Sequence, residues 1–165
     1  MKAVLLLLVL LVAIPARAQE TPAAPEVVKG AAVAKEGDLL TVGGQELRLH
    51  GVDAPDRGQT CRDGRGRDYD CFEKSRLALE RLTEGKEVAC TVKPFVPPNP
   101  KPAVCRVEGR DLAATMVAAG WAHAWRRLSG DYVTFERLAQ SRRSGFWAGQ
   151  AEPPWHWRDR ERARR

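Results

Sequence analysis

Apolar and polar residues alternate along the first part of the chain as they do in β-strands. The valine-rich run 27–33 predicts a first strand. Two further runs, 39–42 and 46–50, flank the pair Gly43 and Gly44, and a two-residue glycine turn is typical of a β-hairpin. In the second of these runs leucines alternate with polar residues, which indicates one buried and one polar face.

The pattern then changes to a helical period. Apolar residues recur every three to four positions over 72–82, and Gly85 is placed to end that helix. Residues 86–93 and 103–107 alternate like strands again. Between them, the segment 94–102 holds five prolines in nine residues, which predicts a stiff, extended connector.

Two more helices are expected towards the C-terminus. Asp111 is placed to cap the first of them. The second follows Gly130, and Tyr132, Phe135, Leu138 and Ala139 are predicted to face inward from it. Residues from Pro153 onward are predicted to be irregular. The element order predicts an α+β domain, mainly β, with about three helices around a curled sheet.

The N-terminal segment has the features of a secretory signal peptide. Lys2 precedes an uninterrupted apolar stretch over 3–14, and Ala-Arg-Ala at 16–18 matches an A-x-A cleavage site. An uncleaved anchor is disfavoured because a 12-residue helix rises ~18 Å, against a ~30 Å hydrocarbon core. We therefore expect a secreted or periplasmic protein without a membrane span after cleavage. The predicted segments are a signal peptide (1–18), a flexible lead-in (19–26), one domain (27–149) and a Trp/Arg-rich tail (150–165).

Composition narrows the class of protein. The 165 residues suit one domain, and the 44% hydrophobic content excludes collagen, coiled-coil and multi-span membrane proteins. The formal charge of +6 includes Lys2 and Arg17, so the secreted form would carry 25 basic and 21 acidic residues, or +4. This modest excess alone indicates nucleic-acid binding only weakly.

The four cysteines predict two disulfides, because a secreted chain enters an oxidising compartment. Three pairings are possible. The sequential one, Cys61–Cys71 and Cys90–Cys105, is favoured because each pair brackets one local loop. Zinc ligation is disfavoured, because no spacing here matches the C-x₂₋₄-C pattern of zinc sites.

Three charged residues cluster at one end of the predicted hairpin. A turn at residues 43 and 44 pairs each position i with 87−i, so Asp38 lies opposite Leu49 and next to Arg48. Asp53 follows just past the same end. Two carboxylates and a guanidinium suit a hard divalent cation beside a phosphate. The alternative is that the two aspartates are turn residues and Arg48 an exposed strand residue.

Two sequence motifs resemble those of the thermonuclease (staphylococcal nuclease-like) family. Glu-Gly-Asp at 36–38 is similar to its D-G-D-T motif, and RLHGVDAPD at 48–56 is similar to R-x-x-x-[VI]-D-[TA]-P-E. Shorter pieces at 120–122, 131–133 and 145–149 resemble secreted members. The resemblance runs from about residue 27 to 147 and implies a five-stranded OB-type barrel with three helices.

The resemblance also implies an activity. Members of the family hydrolyse DNA and RNA phosphodiester bonds with Ca²⁺ as cofactor. The ion would be held by Asp38, Asp53 and the carbonyl of Ala54. Arg48 would contact the scissile phosphate, and Asp56 stands where the family has the glutamate that orients or deprotonates water.

This chain departs from the family pattern at several positions. Asp56 is one methylene shorter than glutamate, and Pro100 stands where a second arginine is expected. Lys101 and Arg106 are candidate replacements for that cation. Trp125 lies where members carry phosphate-contacting tyrosines, and Lys101 and Trp125 are predicted to bind substrate. The prediction is a monomeric nuclease of weakened activity on DNA or RNA, single-stranded or flexible.

Two other functions are compatible with the sequence. One is a nucleic-acid-binding module without catalysis, favoured by the OB-type architecture, the positive charge and the basic tail. The other is a structural or protein-binding domain of the cell envelope, for which the proline-rich segment 94–102 would be the docking surface.

Overall fold

The computed structural model of the protein describes residues 24–94 and 100–165. The predicted signal peptide, most of the lead-in and the centre of the proline-rich connector lie outside the described residues. The α-helices are α1 Cys71–Thr83, α2 Leu112–Ala118, α3 Val133–Arg142 and α4 Pro154–Ala163, and a 3₁₀ helix spans Gly145–Ala148. The strands are β1 Val27–Gly30, β2 Ala32–Ala34, β3 Leu39–Val42, β4 Gln45–Leu49, β5 Val52–Asp53, β6 Thr60–Arg62, β7 Asp68–Asp70, β8 Val88–Val92, β9 Lys101–Val107, β10 Arg110–Asp111 and β11 His123–Ala124.

One mixed sheet forms the centre of the fold. Its strand order is β1-β8-β9-β4-β3-β2, with β10 beside β9, and all neighbours are antiparallel except β4 and β9. Two small pairs, β5 with β11 and β6 with β7, stand apart from it. Within the described ranges no strand pairing closes the sheet into a barrel. The predicted class, α+β and mainly β, is confirmed at this level.

The first hairpin has the predicted register. Leu39 pairs with Arg48, which satisfies the 87−i rule. Gly43 and Gly44 both have positive φ, 55° and 79°, as a tight hairpin turn requires. The leucines of β4 are buried, so its predicted apolar face is the core face. The predicted first strand is in fact two short strands, β1 and β2, which pair with different neighbours.

The core lies between the sheet and the helices α1 and α2. Leu47 of β4, Leu79 of α1 and Met116 of α2 are fully buried in one cluster. Asp70 caps α1 by accepting a hydrogen bond from the Glu73 amide, and Asp111 caps α2 as predicted. The small pair β5–β11 carries two of the buried polar residues, Asp53 and its register partner His123.

Both disulfides have the predicted pairing. Cys61 of β6 bonds Cys71, the first residue of α1, and Cys90 bonds its register partner Cys105 across β8 and β9. Disulfides of this kind are typical of an oxidising compartment. Among the described helices, none has the length and apolar content to cross a membrane.

The C-terminal prediction was wrong, because residues from Pro153 onward are not irregular. They form α4, a fourth helix where about three were expected. Pro154 stands in the first turn, where a missing amide hydrogen costs nothing. Ion pairs between Arg162 and Asp159 and between Arg164 and Glu161 connect successive turns.

The inward face predicted for α3 was right for two residues and wrong for two. Tyr132 and Ala139 are buried as predicted, whereas Phe135 and Leu138 are 39% and 38% exposed and the charged Glu136 is buried. An apolar periodicity cannot identify Glu136 as buried, because its burial depends on hydrogen bonds from another segment of the chain.

Candidate functional site

Asp38 and Asp53 are brought together by the hairpin and by the turn that precedes it. The Leu49 amide donates to the Asp38 carbonyl at 2.8 Å, which fixes Asp38 at the end of β4. Gly37 lets this turn pack closely, because a Cβ there would collide with Ser75 Oγ of α1 and lie 2.8 Å from the Ala54 Cβ. The residues that the sequence placed in one site therefore share one end of the sheet.

Arg48 forms the first of two arginine–carboxylate clusters. Its Nη1 donates to Asp38 Oδ1 at 2.6 Å and its Nη2 donates to Glu36 Oε2 at 3.0 Å. Burial, together with the charges of Asp53 and Glu36, raises the pKa of Asp38 to about 7, although Arg48 acts to lower it. Arg48 keeps a side-chain exposure of 36%, so its guanidinium remains accessible to a ligand.

Arg158 of α4 forms the second cluster, which sequence reasoning missed. Its Nη2 and Nη1 donate to the two oxygens of Asp53 at 2.6 and 3.1 Å, and Nη1 also donates to Asp56 Oδ2 at 2.8 Å. Burial raises the pKa of Asp56, although Arg158 opposes this, and the hydrogen bond to Asp53 raises the pKa of Arg158. A separation of 105 residues left no local signal for this contact.

Together the two clusters have the donor chemistry of a hard-cation site. Glu36, Asp38, Asp53 and Asp56 carry four carboxylates against the two guanidiniums of Arg48 and Arg158, a formal charge of −2 when all are ionised. Carboxylate and carbonyl oxygens are the ligands that Ca²⁺ takes, and the backbone of the buried Ala54 follows Asp53 directly. The donor set therefore fits a divalent cation in type and in charge.

The clusters are not arranged as a ready-made cage. Within residues 24–94 and 100–165, no three side chains of His, Cys, Asp or Glu form a group that would hold a metal ion as they stand. Arg158 engages both oxygens of Asp53, and Arg48 engages Asp38. A cation that used Asp53 would thus have to take the place of the Arg158 guanidinium.

Lys101 is engaged elsewhere. Its Nζ donates to Glu26 Oε1 at 2.7 Å and to Gln45 Oε1 at 3.0 Å, at the turn end of the hairpin. Its backbone is in register with Leu47, and Pro100 directly precedes it. Lys101 would have to leave these two partners to contact a substrate, and its role in substrate binding remains a prediction.

Trp125 lines a groove of about 560 Å³ beside α4. Its amide donates to the Gly51 carbonyl at 2.9 Å, which ties it to the turn before β5. Arg158 lines the same groove, so the groove adjoins the second cluster. The other aromatic and cationic lining residues are Trp147, Trp155, Arg126, Arg127 and Arg162.

The floor of the groove contains a buried Glu136–His123 pair. Oε1 of Glu136 accepts from the Ala124 amide at 3.0 Å and lies 3.8 Å from His123 Nδ1, while Oε2 accepts from Arg126 at 2.9 Å. Burial alone would raise the pKa of Glu136, but these three partners lower it to about 2. The pair holds β11, and hence its register partner Asp53, against α3.

Most of this chain is similar in sequence to a protein of known name. The succinoglycan biosynthesis protein ExoI of Rhizobium meliloti (strain 1021) is 30% identical over 134 residues, which cover 78% of this chain and 69% of ExoI. The chain belongs to the ExoI family. No model of a known protein family matches it.

Proposed function

We propose that this protein is a secreted, thermonuclease-like hydrolase that cleaves phosphodiester bonds of DNA or RNA with Ca²⁺, at a low rate. The observation that supports this is the convergence of Asp38, Asp53 and Arg48 at one end of the sheet. The proposed fold is the OB-type arrangement, supported by the β3–β4 hairpin and by α1 packed against β2. The proposed substrates are single-stranded or flexible nucleic acids, and the proposed state is a monomer.

Each residue has a role that its surroundings suit. Asp38, Asp53 and the Ala54 carbonyl would hold the cation, which supplies positive charge that polarises a phosphate. Arg48, whose planar fork matches phosphate oxygens, would turn from Glu36 towards the substrate. Asp56 would accept a proton from the attacking water, a task that its raised pKa favours over that of an ordinary surface aspartate.

The departures from the family pattern predict slow catalysis. A shortened base displaced by ~1 Å costs ~10²-fold, and a missing transition-state donor costs ~10²–10³-fold. Their product, roughly 10⁴–10⁵, is an upper range, because such effects are rarely additive. A measurable rate is still expected, since nucleases accelerate a very slow reaction by many more orders of magnitude.

The first test is digestion of single-stranded DNA and RNA by the full chain purified from periplasm, with Ca²⁺ and with a chelator. We expect cleavage that requires Ca²⁺ and is lost in Asp53→Asn. Asp68→Asn is the matched control, because Asp68 is exposed and its carboxylate pairs with Arg62, away from both clusters. Equal cleavage in the chelator, or in Asp53→Asn, would contradict the proposal.

A second test restores the family pattern. Asp56→Glu returns the missing methylene, and Pro100→Arg returns a guanidinium. We expect each change to raise the cleavage rate, and the double variant to exceed both. A double variant no faster than the parent would contradict the assignment of positions 56 and 100.

Membership of the ExoI family supports a second candidate, a role in succinoglycan biosynthesis. The groove, with its three tryptophans and four arginines, has lining suited to an anionic sugar polymer. Titration with an acidic polysaccharide and with a single-stranded oligonucleotide, followed by tryptophan fluorescence, separates the two candidates. Quenching by the polysaccharide alone, without Ca²⁺-dependent cleavage, would favour the second candidate and a non-catalytic module.

A further inference from the structure

The attachment of α4 to the domain depends on few contacts. Pro154 is the one fully buried residue of this helix. The segment before α4 is held more firmly: Gln150 and Arg62 exchange two backbone hydrogen bonds at 2.8 and 2.9 Å, and Gln59 Nε2 donates to the Glu152 carbonyl at 2.6 Å. The helix itself contacts the domain through Trp155, whose ring lies 5.7 Å from that of His123, and through Arg158.

Arg158 therefore carries a large part of the interaction between α4 and the domain. It makes three hydrogen bonds to two carboxylates, and charge-assisted bonds of this kind are the strongest ones that side chains form. Apolar contacts add to these bonds, because Pro154 is buried and Trp155 and Trp157 are half-buried. The polar part of the attachment thus depends on residues that are also proposed to hold and use the cation.

The geometry makes the two interactions exclusive. Arg158 nitrogens lie 2.6 and 3.1 Å from the two oxygens of Asp53. A calcium ion needs such oxygens at about 2.3–2.6 Å. The guanidinium and the ion would occupy the same side of one carboxylate and would repel each other, so the binding of one requires release of the other.

We propose that Arg158 is a built-in competitor for the cation site, and that α4 is a strap that divalent cations release. The proposal rests on the cation site of the proposed function. Because coupling between two binding events is reciprocal, a helix that weakens cation binding is itself loosened by the cation. Release would also lift Trp155 from His123 and open one wall of the groove.

The test is a calorimetric Ca²⁺ titration of the full chain and of variants on α4. Arg158→Gln removes the competing charge, and we expect it to bind Ca²⁺ at least about tenfold more tightly than the parent. Arg158→Lys keeps the charge without the fork and should lie between them. Arg160→Gln is the matched control: Arg160 is on the same helix but pairs with Glu152 and Glu161, and its affinity should be unchanged.

A second measurement needs no variant. Hydrogen exchange of the α4 amides in the parent protein should become faster when Ca²⁺ is added, while exchange in β4 and β9 does not. Unchanged or slower exchange in α4 would overturn the proposal. So would an Arg158→Gln protein that binds Ca²⁺ no more tightly than the parent, or not at all.

The outcomes separate this proposal from the nuclease proposal. Tighter Ca²⁺ binding by Arg158→Gln without any cleavage would support the strap and contradict the nuclease. Ca²⁺-dependent cleavage, together with equal Ca²⁺ affinities of the parent and Arg158→Gln, would support the nuclease and contradict the strap.

Discussion

The two arginine–carboxylate clusters differ in the distance along the chain that they bridge. Arg48 bonds residues ten and twelve positions away, and its partner Asp38 has 3% of its side chain exposed. Arg158 bonds residues more than one hundred positions away, and its partners Asp53 and Asp56 are 7% and 29% exposed. Each cluster thus sets a nearly buried carboxylate against a partly exposed arginine, but one arginine belongs to the same hairpin and the other to a distant helix.

The largest effect that distinguishes the clusters is expected in catalysis. Arg48→Gln should lower the rate of Ca²⁺-dependent oligonucleotide cleavage by about 10²–10³-fold, because a contact to the phosphate is lost. Arg158→Gln should not lower it. Single-turnover cleavage of a labelled oligonucleotide measures both, and a greater loss in Arg158→Gln than in Arg48→Gln would reverse the assignment of the two clusters.

Stability should fall in both variants. Arg48→Gln leaves the buried Asp38 without its cation, and Arg158→Gln does the same to the buried Asp53. Each loss should lie between about 1 kcal/mol, the cost of breaking an exposed pair, and about 3–5 kcal/mol, the cost of breaking a buried one. Urea unfolding in a chelator measures the free energy of unfolding of each. An unchanged free energy of unfolding in Arg158→Gln would show that its ion pairs do not stabilise the domain.

A third pair, Arg126 with Glu136, extends the comparison to acid pH. The folded pKa of about 2 lies below the ordinary value of 4.5, so the stabilisation is complete above pH 4.5 and is lost as pH falls towards 2. The loss should reach about 3 kcal/mol, at ~1.36 kcal/mol per pKa unit. Urea unfolding between pH 7 and 2 should show this fall in the free energy of unfolding in the parent and not in Glu136→Gln. Parallel pH profiles for the two proteins would exclude this role for Glu136.

The smallest effect concerns the packing that brings the hairpin cluster to Asp53. Gly37→Ala places a methyl group against Ser75 and Ala54, and overpacking of this kind costs about 1–3 kcal/mol. Gly44→Ala is the steric control, because its added Cβ meets nothing, although the positive φ adds a cost of its own. We expect a loss of cation binding in Gly37→Ala alone. Cation binding that is equal in both variants would argue against this packing requirement.

The hairpin cluster could be predicted from the sequence, whereas the helix cluster could not. A two-glycine turn fixes the register, and the register places Asp38 opposite Leu49, as the structure shows. The cysteine pairing and the cap at Asp111 also follow from local spacing. The contact of Arg158 with Asp53 follows from no local rule, because it depends on how a helix docks against a turn 105 residues away along the chain.

Buried polar residues set the other limit to prediction. Glu136 was not predicted to face inward, because a periodicity argument treats a glutamate as a surface residue. Its burial becomes understandable only with the Ala124 amide and Arg126 beside it. The same argument placed Phe135 and Leu138 inward. They are exposed because α3 packs against the domain through the face that carries Glu136 and Ala139.

The central claim is that Asp38, Asp53 and Arg48 form a cation-dependent phosphodiesterase site. The measurement that tests it most directly is the ratio of oligonucleotide cleavage rates with Ca²⁺ and with a chelator, for the parent and for Asp53→Asn. We predict a ratio well above one for the parent and a ratio of one for the variant. Parent cleavage that is equally fast with Ca²⁺ and with the chelator would contradict the claim, and so would the absence of detectable cleavage in both conditions.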